Sequence, residues 1–71
     1  MAFIDTIGTR AYSECLKLWG GSIYRAAKAL EVSSPVIVYR WGSGEACPSA
    51  HFLAKLYHAG ADIKYILVGE R

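Results

Sequence analysis

Apolar residues recur along this chain at helical spacing. Ile23, Ala26, Ala27 and Leu30 fall at i, i+3, i+4 and i+7, one apolar stripe of a helix that turns Tyr24, Arg25 and Lys28 outward. Gly20 and Gly21 break whatever precedes it, and Ser22 is a good N-cap, so this helix starts near Ser22. Upstream, Tyr12, Cys15, Leu16 and Trp19 repeat the spacing with Arg10, Glu14 and Lys17 off the stripe. They predict a first helix from about Thr6 or Thr9 to about Trp19.

Downstream, Ser34 can cap a third helix whose first position is Pro35, where the missing N–H costs nothing. The run Val36 to Tyr39 is β-prone, yet a lone strand has no partner elsewhere in the chain. As a helix it aligns Ile37, Val38 and Trp41 on one side and stops at Gly42. A fourth helix opens at Pro48, buries Phe52, Leu53, Leu56 and Tyr57, and ends at Gly60. Asp62 caps a fifth, with Ile63, Ile66 and Leu67 on one face before Gly69. The expectation is an all-α compact bundle of five short helices, residues 1–71 forming a single domain.

Composition narrows the function classes. Hydrophobic residues make up 54 % and charged residues 20 %, too apolar for a disordered tail. The longest uncharged run, Ala46 to Ala54, is nine residues, well short of the ~20 that span a bilayer. Met1 to Asp5 shows no basic run before an apolar core, so no signal peptide is expected. A walled substrate cavity needs more scaffold than 71 residues supply, and no nucleophile, base or paired-carboxylate spacing stands out, so a binding protein rather than an enzyme is expected. Cys15 and Cys47 read as buried small apolar residues of the core rather than a disulfide or a metal site. Cys47, His51 and His58 are three potential ligands where a structural zinc wants four, so no metal site is expected.

The pair of short helices about Ser22 to Gly42, the first rich in small residues, has the pattern of a helix-turn-helix. Within it, Ala26-Ala27-Lys28-Ala29-Leu30-Glu31-Val32-Ser33-Ser34-Pro35 is followed by Tyr39-Arg40-Trp41, and the chain closes on Gly60-Ala61-Asp62-Ile63-Lys64-Tyr65-Ile66-Leu67-Val68-Gly69. These three pieces, in this order, resemble the N-terminal DNA-binding domains of lambda-type phage repressors and Cro-like proteins. The resemblance runs from about Ser22 to the C-terminus. It implies a five-helix DNA-binding fold, a transcriptional regulator of phage or prophage type, and a place on DNA in the cytoplasm of a bacterial host cell. It implies neither cofactor nor small-molecule substrate. The pattern departs from the family at three points: Glu31 stands where glycine is usual, Ile23 where glutamine is common, and one extra residue lies between Val32 and Trp41. Glu31 then either adopts a left-handed backbone, at roughly 1 kcal/mol, or reshapes the turn.

On that reading, base contacts fall to Ser33, Ser34, Val36, Tyr39 and Arg40, at the opening and outward side of the second motif helix. Arg40 can donate two hydrogen bonds to guanine, and Val36 can pack on a thymine methyl. The plainer alternatives are a solvated arginine at a helix C-terminus, a tyrosine capping the core and a buried valine. Phosphate contacts fall to Ser22, Tyr24, Arg25, Lys28 and Ser43.

Between Gly21 and Glu45 the cations Arg25, Lys28 and Arg40 outnumber Glu31 and Glu45 by only one. One such module binds a half-site weakly, and two-fold pairing on a palindromic operator is the usual remedy. Tyr65, Ile66 and Val68, joined by Phe3 and Ile4, are the expected homodimer face; the alternative is that the N-terminal residues merely cover the end of the bundle. The rival functional reading is a repressor-fold protein-interaction module, antirepressor-like, that does not read DNA. The weak local charge and the apolar Val36-Ile37-Val38 favour it.

Overall fold

The computed structural model describes residues 6–70 of the chain. Five helices follow one another: α1 (Ile7–Leu18), α2 (Ile23–Ala29), α3 (Pro35–Ser43), α4 (Ala50–His58) and α5 (Ile63–Val68). No strand occurs among the described residues, and no helix there is long and apolar enough to cross a membrane.

The helix starts follow local chemistry. Thr6 and Thr9 form a reciprocal capping box, each hydroxyl accepting the other's backbone N–H at 3.1 and 2.8 Å. Ser22 Oγ accepts from Arg25 N, Ser34 Oγ from Val36 N, and Asp62 Oδ1 from Tyr65 N. Each of these caps satisfies an N–H that has no partner inside its helix. Pro35 holds the first position of α3, and the β-prone run behind it is helical throughout.

One core joins all five helices. Ala11 and Cys15 of α1 meet Ile23, Ala26 and Ala27 of α2, Val38 and Trp41 of α3, Leu56 of α4 and Ile66 of α5, with Leu30 and Ala61 from the connections. Trp41 is its largest side chain, and its indole lies 5.9 Å from the Phe52 ring of α4. Helix α1 is central, packing against α2, α3 and α5.

Several expectations are corrected. Helix α3 does not stop at Gly42. It continues to Ser43 and ends at Gly44, whose φ of 82° is the left-handed C-terminal conformation. Gly42 instead lies under the Tyr12 ring, where a Cβ would come within 2.7 Å of ring carbon. Helix α4 begins after Ser49, so Pro48 precedes the helix and is buried there. Tyr57 and Leu67 face outward, because α4 and α5 each touch the bundle along a narrow strip. Glu14, expected off the apolar stripe, is buried at 3 % exposure.

Candidate nucleic-acid interface

The segment α2, turn, α3 forms one face of the molecule. Ala26 and Ala27 are buried between the two helices, and with no more than a Cβ each they permit close approach. Tyr24, Arg25 and Lys28 occupy the opposite, exposed side of α2. Between the helices, Tyr24, Ala27, Lys28, Val32, Ser33 and Pro35 line a shallow open cleft.

The turn after α2 places Glu31 in the left-handed region that favours glycine. Glu31 takes φ 59°, the only non-glycine residue with positive φ among those described. The Glu31 amide donates to the Lys28 carbonyl and the Val32 amide to the Ala27 carbonyl, at 3.2 and 3.1 Å. This is the paired-bond Schellman ending, so the turn accepts the left-handed strain rather than reshaping.

Helix α3 divides cleanly. Val38 and Trp41 point into the core and Ile37 is half-buried. Val36, Tyr39, Arg40 and Ser43 are exposed at i, i+3, i+4 and i+7, one outward stripe. Val36 is 55 % exposed, so it is not a core residue, and Tyr39 at 53 % does not cap the core. The Tyr39 ring lies 6.1 Å from that of Tyr12, tilted by 46°, so α1 steadies it from one side. Ser33 is exposed beside the start of α3.

The serines are partly committed. Ser34 is half-buried and caps α3, which leaves its hydroxyl proton available to donate. Ser22 caps α2 in the same way. Ser43 Oγ donates to the Arg40 carbonyl at 3.0 Å, so its proton is used within the helix rather than offered to an anion.

The expected dimer residues separate. Ile66 is fully buried and is a core residue, not an outward one. In α5 the 3.6-residue period sends Ile66 inward and Val68 outward. Val68 is 60 % exposed, with Leu67 exposed beside it, whereas Tyr65 is half-buried. The Arg10 guanidinium fixes this end of the bundle, its Nε donating to the Ile66 carbonyl at 2.9 Å. Phe3 and Ile4 lie outside the described residues.

Two residues near this face were not singled out by sequence reasoning. Tyr12 was read as part of the buried stripe of α1, and Lys55 carried no local signal. Lys55 Nζ donates to the Leu30 carbonyl at 3.2 Å and lies 3.4 Å from Glu31 Oε1. Cys15 is buried as expected, but Cys47 is exposed rather than part of the core, because it lies in the connection before α4. His51 and His58 are exposed too, and no group of three potential ligands able to hold a metal occurs among the described residues. Comparison with family models, curated proteins and solved structures finds no match to this chain.

Proposed function

We propose that the protein is a sequence-specific DNA-binding transcriptional regulator, a repressor or Cro-like protein of phage or prophage type, acting as a dimer on a palindromic operator. The observation that carries this reading is the outward stripe of α3. Val36, Tyr39 and Arg40 are exposed on a helix whose other side is locked into the core by Val38 and Trp41. A rigid helix with an exposed face is what the major groove admits.

The chemistry of the stripe suits base edges. Arg40 supplies a bidentate donor for guanine, Val36 an apolar contact for a thymine methyl, and Ser33 a small donor and acceptor. Tyr24, Arg25 and Lys28 on the neighbouring helix supply phosphate contacts, which position the protein without reading sequence. Glu31 is drawn toward Lys55, which offsets one of the two carboxylates in the segment.

The test is selection from a random duplex pool, followed by titration against salt. The expected result is an enriched inverted repeat whose affinity falls steeply between ~50 and ~200 mM salt as counterions are released. One observation favours a second reading: Tyr24, Val36 and Tyr39 are exposed apolar or aromatic residues on the same segment. A protein-interaction surface built on them would enrich no duplex and would respond weakly to salt.

A further inference from the structure

The turn between α2 and α3 is held by a side chain from outside it. Leu30 is the last residue of α2's hydrogen-bonding register, and its carbonyl has no acceptor role within the helix. That carbonyl receives Lys55 Nζ, 25 residues further along the chain, at 3.2 Å. The same ammonium group reaches Glu31, the residue in the left-handed conformation, at 3.4 Å. One cation therefore reaches two successive residues of the turn.

We propose that Lys55 is a positioning residue for α3: by clamping the Leu30 carbonyl and Glu31 it holds the strained turn and thereby the angle of the outward stripe. Only residues 30–34 separate α2 from α3, so movement in the turn is delivered directly to Ser33 and Val36 at the start of that stripe. The two contacts are unequal. Glu31's side chain is 78 % exposed, so its ion pair is screened by water and weak. The bond to the carbonyl is part-buried and charge-assisted, and is the stronger of the two. Lys55 thus acts mainly through Leu30, from a side chain that is itself only 28 % exposed.

The consequence for base discrimination rests on the DNA-binding reading; the clamp itself does not. Amide hydrogen exchange is measured for the wild type, Lys55→Met, Lys55→Arg, Glu31→Gln, Glu31→Gly and the double variant Glu31→Gly with Lys55→Met. Methionine keeps the stem and removes the charge. Lys55→Met is expected to speed exchange of the Val32 amide by about tenfold while leaving the Cys15 amide unchanged, as local opening requires. Lys55→Arg restores protection, Glu31→Gln leaves it nearly unchanged, and Lys55→Met keeps most of its effect in the Glu31→Gly background, where the contact to the Leu30 carbonyl remains. Unchanged exchange at Val32, an equal rise throughout the core, or loss of the effect in the Glu31→Gly background overturns the proposal. In a second arm, binding is measured on the duplex that the wild type enriches and on single-base variants of it. Lys55→Met is expected to reduce the ratio of these affinities by roughly fivefold, within the worth of one base contact. An unchanged ratio overturns the positioning role. Should the wild type enrich no duplex, the DNA-binding reading fails, and the exchange measurements still decide the clamp.

Discussion

The carboxylate of Glu14 in α1 accepts the backbone N–H of Asp62, the cap of α5, at 2.8 Å across 48 residues of sequence. A polar group this deeply buried is tolerated because it is hydrogen-bonded, and removing it strands the amide it serves. Asp62 in turn accepts from Tyr65 N, so the start of α5 is satisfied by one carboxylate from its own cap and one from α1. Glu14→Ala is therefore expected to lower stability by about 1–3 kcal/mol. Glu14→Gln, which keeps an acceptor oxygen, should cost less. Urea denaturation measures both, and equal losses would show that the hydrogen bond is not what Glu14 supplies.

Trp41 closes the core beneath α3 at 2 % exposure and packs on Phe52. Trp41→Ala is expected to cost about 3–5 kcal/mol, a large share of the stability of so small a domain. Thermal melting followed by circular dichroism reads the loss. An unchanged midpoint would contradict the role of Trp41 as anchor.

Burial, with a smaller contribution from the neighbouring Glu14, pushes the Cys15 thiol from its ordinary 9.0 to about 12. In the native protein a thiol reagent near neutral pH is expected to titrate the exposed Cys47 and not Cys15. Because the folded pKa is the higher one, the stabilisation linked to this thiol is complete below pH 9.0 and is lost as pH rises toward about 12. Cys15→Ala should flatten the decline in stability across that interval. Rapid native labelling of both cysteines would disprove the assignment.

Arg40 stands exposed on the outward stripe of α3. If it reads guanine, Arg40→Ala lowers affinity for the selected duplex by about 1–3 kcal/mol and relaxes preference at one position of each half-site. A uniform loss over all sequences would move Arg40 to the phosphate contacts.

Val68 is an exposed apolar position at the end of α5 and, with Ile66 in the core, is the better candidate for pairing. Val68→Asp is expected to leave the melting midpoint nearly unchanged while abolishing paired occupancy of a palindromic duplex. Light scattering with and without that duplex is the measurement. Half-sites filled independently by the unaltered protein would defeat the dimer proposal.

The elements legible in the sequence are those whose causes are local. Ser22, Ser34 with Pro35, and Asp62 cap their helices through residues two or three positions away, and Gly69 ends α5 at φ 77°. The outward stripe of α3 was likewise implied once Val38 and Trp41 were assigned inward. Tertiary structure decided what depends on distant segments. Gly42 stays within α3, where the Tyr12 ring leaves no room for a Cβ, and the chain turns at Gly44 instead. Glu14 points inward because the start of α5 presents it with an N–H, and Ile66 turns inward with the same helix. Lys55 meets the turn only after α4 has folded back across the bundle. A period of 3.6 residues identifies the two sides of a helix, but which polar residue the buried side will tolerate depends on the partner that the rest of the chain brings to it.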